Sequence, residues 1–294
     1  MTEDHKWPRA AHWLKPFANE TGVDLAVYGV CASQTSISKT GAHETPNAIR
    51  QALLRYSTYS WSQNIDLGEL VARDFGNSEH PDSPEGEEIT KRLAKQASEN
   101  SKLAIALGGD NSVTFAAMSG AHNLGNSGLI TFDAHHDLRD GISNGSPVRR
   151  LVEAGLPGKR IVQIGINDFS NSPQYAKLAN DLGILVITRA ELRKLTPEQA
   201  WEKAITHLGN IEAIHVDIDV DVCDRSVAPG CPAAAPGGIS ADELRQFALL
   251  AGKTKTVTSL DITEIDSTAD SADQRTVRLA ALLILEAATG LALR

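Results

Sequence analysis

The chain has no apolar run approaching the roughly 20 residues a helix needs to cross a bilayer, and its opening stretch, MTEDHKWPRAAHW, is charged rather than apolar. The expectation is a soluble protein with neither a membrane span nor a secretory leader. Cysteine is scarce. Cys31, Cys223 and Cys231 form an odd set without a CxxC pair, which argues against a disulfide framework and fits reduced thiols in the cytoplasm. Positive charge is also short. A formal net charge of -9 argues against binding a phosphate backbone, which relies on a basic surface to displace counterions. A small-molecule partner is expected, with no nucleic acid and no membrane. Internal repeats and low-complexity tracts are absent too, so nothing points to a repeat array.

What the chain does hold is ordinary globular material: 294 residues, 41% hydrophobic and 22% charged, enough to bury a sizeable core. Short, strongly β-branched apolar runs recur at 25–30, 103–107, 129–132, 161–166, 184–187, 214–218 and 257–260, and they read as buried strands. Helix-length amphipathic segments lie between most of them. Ser240 to Leu250 opens with a capping-box pattern, Ser240 and Glu243, and Thr276 to Leu291 closes the chain. Alternating strand and helix predicts a mainly parallel sheet covered on both faces, a three-layer α/β/α fold formed by a single domain over 1–294. Gly76 to Gly86, GNSEHPDSPEG, looks like a linker but is too short to demand a domain boundary.

Two acidic clusters follow apolar strands. FDAHHDLRD (Phe132 to Asp140) places Asp133, His135 and Asp137 at alternate positions, so an extended backbone would point all three to one face. Two carboxylates and an imidazole converging there would repel one another and lose hydration unless a cation compensated them. A solvated loop is the plainer alternative. The second cluster, IHVDIDVDVCD (Ile214 to Asp224), carries Asp217, Asp219, Asp221 and Asp224 and makes that alternative harder to hold. Ligands in open α/β sheets collect beyond the carboxyl ends of strands, so both acidic ends can share one crevice and two metals. Oxygen-rich ligation with one imidazole and no thiolate suits Mn²⁺ better than structural zinc. LGGDNS (Leu107 to Ser112) brings Asp110 and Asn111 ahead of a helix, and SLDITEID (Ser259 to Asp266) repeats the strand-then-acid pattern with Asp261, Glu264 and Asp266. Glu264 is a candidate for meeting a cationic substrate.

In this order, GGDNS, DAHHD, DIDVDVCD followed by APGCP, and DITEID resemble the ureohydrolase (arginase/agmatinase) family over nearly the whole chain, from GVCASQTSISKTGAHETPNAIRQAL at Gly29 to Leu53 onward. The resemblance implies a binuclear manganese centre held by Asp133, His135, Asp137, Asp219 and Asp221. It leaves Asp217 without a role. Asn111 stands where arginases and agmatinases carry a ligating histidine; as a ligand it would be weak, so one of the two Mn²⁺ is expected to bind loosely. Asn111 at this place, with NGSPVRRL (Asn144 to Leu151), IGINDFSNSPQY (Ile164 to Tyr175) and APGCPA (Ala228 to Ala233), is closest to the formimidoylglutamases of the family.

That branch implies N-formimidoyl-L-glutamate as substrate, hydrolysed to L-glutamate and formamide in histidine breakdown. Two metals would supply hydroxide near neutral pH, Glu264 would pair with the amidinium, and Asp137 would move the proton to the departing amine. Arg139 is expected to grip a substrate carboxylate, with Asn144 and Arg149 also facing the substrate. Asn144 stands where arginases have a shuttle histidine. Family members commonly form trimers or hexamers, so a homo-oligomer is expected. Two rival readings stay open: an agmatinase or other guanidino-acid hydrolase releasing urea, and a metal-poor structural or regulatory subunit. His122 and His136 are expected not to be ligands, and Cys223 and Cys231 to be packing thiols.

Overall fold

The structure, a computed structural model, describes residue 4 and residues 6–294. Its strands are β1 (Lys15–Pro16), β2 (Val23–Val30), β3 (Tyr59–Ser60), β4 (Ile65–Asp66), β5 (Ala72–Ser78), β6 (Ser101–Gly108), β7 (Ser127–Phe132), β8 (Ile161–Ile166), β9 (Leu185–Thr188), β10 (Ala213–Asp219) and β11 (Val257–Thr263). The helices are α1 (Ala10–Trp13), α2 (Thr45–Ala52), α3 (Pro84–Asn100), α4 (Val113–Ala121), α5 (Pro147–Glu153), α6 (Pro173–Leu182), α7 (Arg189–Leu192), α8 (Pro197–Leu208), α9 (Ala241–Lys253) and α10 (Arg275–Ala292). Nine strands form one sheet in the order β1-β5-β2-β6-β11-β10-β7-β8-β9, and every pairing in it is parallel.

The expected three layers are present. On one face Val27, Ile105, Ile130, Val216, Ile218 and Ile262 pack with α2, α8, α9 and α10. On the other, Tyr28 and Ala106 meet α3 and α4, while Leu129 and Ile161 meet α4, α5 and α6. Near-continuous apolar strands follow from burial on both faces. The capping box at Ser240 is formed, with Glu243 bonding back. Among the described residues no helix is long and apolar enough to cross a membrane.

The linker-like stretch 76–86 is built into the fold: Gly76 to Ser78 end β5, and Ser83 caps α3 with Pro84 at its first turn. The strand β5 carried too little apolar signal to be read from sequence. It lies next to the edge, with β2 on its inner side and only the two-residue β1 on its outer side, and its polar side chains are met by ion pairs such as Arg50–Asp74 at 2.7 Å.

Candidate metal centre

The site lies at the carboxyl ends of β7, β10 and β11, the central strands of the sheet. Strand β7 ends at Phe132, and the chain then coils. Asp137 has a left-handed backbone, φ 52°, so the extended geometry expected for Asp133 to Asp137 does not occur. Asp219 closes β10, and Asp221 sits in the one-turn 3₁₀ helix 220–222, its N–H donating to Asp219 Oδ1 at 2.8 Å. Convergence is therefore produced by two turns rather than by strand alternation.

Both turns are fixed to each other. Ala134 N–H donates to Asp221 Oδ1 at 2.9 Å, and His135 Nδ1 lies 2.6 Å from Asp221 Oδ2. Asn171, which sequence reasoning missed, accepts from His136 N–H and donates to Ala134 O. Gln163, also missed, takes up His136, whose Nδ1 is 2.7 Å from its Oε1. His136 is thus buried and held by Gln163 and Asn171. The only signal for Asn171 and Gln163 was their polarity beside apolar runs.

Two groups of side chains present ligand atoms within 4.8 Å of one another: Asp133, His135 and Asp221, and Asp133, Asp137 and Asp219. Asp133 belongs to both. The carboxylates are nearly inaccessible to solvent, with Asp133 1%, Asp219 3% and Asp221 2% exposed, and Asp133 Oδ2 has no hydrogen-bond partner among the described residues. Burial, then the charge of Asp137, pushes the Asp133 carboxyl well above the usual range. Burial and the charge of Asp221 do the same to Asp219. Burial holds Asp137 up at about 7 against the opposing pull of His135. His135 is lowered by burial, but its hydrogen bond to Asp221 outweighs this and sets it at about 9, while that same bond keeps Asp221 low despite burial. Buried oxygens that repel each other and lack donors are compensated by divalent cations, and these residues fit a pair of them.

Asn111 is placed differently from expectation. Its Nδ2 donates to Asp137 Oδ2 at 2.6 Å, and its Oδ1 accepts from Thr114 Oγ1 at 2.9 Å and Thr263 Oγ1 at 2.8 Å. In this orientation the amide presents its nitrogen to Asp137 and its oxygen to the two threonine hydroxyls.

Above the cluster opens a cavity of about 410 Å³ lined among others by His135, Asp137, Arg139, Asn144, Asn171 and Glu264. Glu264 follows β11 with φ 63°, and burial, then the charge of Asp110, raises it to about 8. Its Oε2 accepts from the Asn111 backbone N–H and its Oε1 from Asn144 Nδ2, both at 2.9 Å. Arg139 lines the cavity with an exposed guanidinium that has no ion pair or hydrogen bond among the described residues. Arg149 does not reach the site. It is bound to Asp140 at 2.5 Å and Glu153 at 2.9 Å, because its position on α5 turns it along the outer helix surface. Arg150 pairs with Glu87 and stacks on Phe115.

Asp217 now has a place. Its Cα pairs with Asp261 of β11, on the α4 side of the sheet, where burial and then the Asp261 charge raise its carboxyl far above normal. Below it runs a buried polar chain: His122 Nε2 to Ser259 Oγ at 2.5 Å, Ser259 Oγ to His215 Nδ1 at 2.6 Å, and His215 Nε2 to Asp261 Oδ2 at 3.0 Å. The three cysteines are buried and free, and burial raises each thiol, which fits the packing role expected of Cys223 and Cys231.

A family model described as the Arginase family matches residues 23–290. The chain is 38% identical to a formimidoylglutamase of Halalkalibacterium halodurans, with 96% of this chain and 92% of that protein covered. The fold matches the crystal structure of formimidoylglutamase from Bacillus subtilis with a TM-score of 0.93 at 29% identity, covering 99% of this chain and 94% of that one. It also matches a Trypanosoma cruzi formiminoglutamase with manganese at TM-score 0.87 and 27% identity, covering 98% and 99%.

Proposed function

From the premise that this chain belongs to the arginase family, we propose that it is a binuclear-manganese hydrolase converting N-formimidoyl-L-glutamate and water to L-glutamate and formamide. The observation that carries the substrate is Arg139. An unpaired guanidinium in the cavity beside the carboxylate cluster suits a substrate that carries carboxylates, and its planar fork can hold one in a bidentate pair.

Asp133, His135, Asp137, Asp219 and Asp221 would hold the two cations, which supply hydroxide near neutral pH when bound. The charge of the bound cationic amidine favours the ionised form of Glu264 against the effect of burial, so Glu264 pairs with that cation and holds its carbon in line for attack by water. Asp137 accepts the proton that the attacking water releases and delivers it to the amine nitrogen as the carbon–nitrogen bond breaks. Asn111 steers Asp137 through its amide nitrogen. The reaction fits a step of histidine breakdown in the cytoplasm. A homo-oligomer is part of the same reading, supported by the exposed aromatic pair Tyr59 and Trp61 on the β3–β4 hairpin.

The experiment is release of glutamate and formamide from N-formimidoyl-L-glutamate by manganese-loaded protein, with arginine, agmatine and guanidinobutyrate run beside it for urea. The expected result is selective, metal-dependent turnover of the first. Arg139→Ala should lower kcat/KM about 100-fold, the scale of one charged contact. Urea from any of the other three would replace the proposal with a guanidino hydrolase.

A further inference from the structure

Glu264 is held by two donors of different kinds. One is the backbone N–H of Asn111, fixed by the turn that follows β6. The other is the side-chain amide of Asn144, and an amide can turn by half a revolution with little steric change, presenting oxygen instead of nitrogen. A third group fixes the far side of the amide: the backbone N–H of Ile37 donates to Asn144 Oδ1 at 3.0 Å. Ile37 needs an acceptor and Glu264 needs a donor, so both contacts favour the same orientation and together pin the side chain between them. Without the Ile37 N–H, Asn144 is held by Glu264 alone and is free to move with it.

Ile37 belongs to the irregular segment that leaves β2 and borders the cavity. The segment is tied at both ends. Ser33 N–H donates to Asp82 at 3.3 Å, and Gly41 N–H donates to Asp266 Oδ2 at 2.7 Å. Between those anchors the tie to Asn144 is its hydrogen bond to the metal-centre side. Ile37 also approaches the carboxylate anchor, since a Cβ added at Gly145 would lie 2.8 Å from Arg139 Cδ and 3.1 Å from Ile37 Cδ1. The side chain of Ile37 is 56% exposed, so little packing holds it down.

We propose that Asn144 is a positioning residue that couples the seating of the 34–40 segment, through the Ile37 N–H, to the orientation of the Glu264 carboxylate. This rests on the proposed reaction for its kinetic consequence, but the strut itself is a physical contact that hydrogen exchange reads without substrate. A seated segment aims Glu264 at the amidine, and a displaced one leaves the carboxylate with a single fixed donor.

The test combines amide hydrogen exchange across residues 34–38 with steady-state kinetics on manganese-loaded protein. In the unaltered chain the Ile37 amide should exchange about tenfold or more slowly than an unbonded loop amide; a freely exchanging Ile37 overturns the proposal. Asn144→Asp keeps an acceptor for Ile37 but offers Glu264 no donor, so exchange should stay slow while kcat falls about tenfold or more and KM changes less. Asn144→Ala should lose both. Ile37→Pro removes the N–H, together with the isoleucine side chain and the freedom of φ, with Ile37→Ala as the control that keeps the N–H; kcat should drop in the first and not the second, and kcat of Ile37→Pro within about twofold of the unaltered chain overturns the coupling. If that variant does not fold, Asn144→Asp decides, since unchanged kcat there overturns the proposal as well. Manganese content measured in every variant separates these effects from metal loss. Absence of turnover by the unaltered chain would sink the proposed function and leave the exchange result to decide the strut.

Discussion

Single residues divide here into those whose chemical type announced their work and those whose partners had to be seen. The aspartates and His135 were legible because a buried run of carboxylates has few uses besides holding cations. The direction of the Asn111 amide, the ion pairs of Arg149 and the strut role of Asn144 were not, because each is set by a pairing that residue type and spacing do not reveal: with Thr263, with Asp140 and Glu153, and with Ile37. Glu264→Gln keeps the shape and removes the negative charge; we expect turnover to fall by about 100-fold or more with both manganese ions still measured in the protein, since the lost term is attraction to the substrate cation. His122 gives a prediction about pH. Burial, then the nearby His215, lowers it to about 3, so the folded form binds fewer protons than the unfolded form between about 3 and the ordinary histidine value near 6.5. Stability should therefore be complete above that window and decline as pH falls through it, by at most about 1.4 kcal/mol per pH unit from this group. Replacing it with asparagine should flatten that part of a denaturation-against-pH curve; an unchanged slope would show that His122 does not titrate with folding.

At the scale of elements, apolar periodicity located the inner strands because they are buried on both faces, and it failed at β5 and the β3–β4 hairpin, where polar side chains are satisfied by ion pairs and solvent. Helix starts were readable where a capping pattern stood, as at Ser240. Since Ser240 accepts from Glu243 N–H while Glu243 reaches back to Ser240 N–H, Ser240→Ala should cost about 1 kcal/mol of stability in denaturant unfolding, with activity unchanged. What sequence periodicity could not supply is the way each acidic strand ends. Alternation along an extended chain predicted the right neighbours for Asp133, His135 and Asp137 by a route the backbone does not take; the actual device is a coil after Phe132 and a left-handed residue at Asp137. The polar inner face of β10 and β11 was similarly half-read, since Asp217 looked surplus until Asp261, Ser259 and His215 were seen on the same side.

For the whole molecule, the nine-stranded sheet and its two helical layers make residues 1–294 one proposed domain, which should unfold in a single cooperative transition when manganese is saturating. Chelation should lower the midpoint, because the folded state alone gathers the ligands and so gains RT ln(1 + [M]/Kd) from the metal; a midpoint insensitive to chelator would mean that the carboxylate cluster is not a metal site. The same cluster has another consequence. Asp137 and Glu264 are non-glycine residues in the left-handed region, at φ 52° and 63°, a conformation that costs roughly 1 kcal/mol or more for an ordinary L-residue. Both are also buried acids. The two positions proposed to carry proton transfer and substrate charge are thus, among the described residues, the ones where backbone strain and buried charge coincide, so the fold gives up stability at both in exchange for where they point their carboxylates.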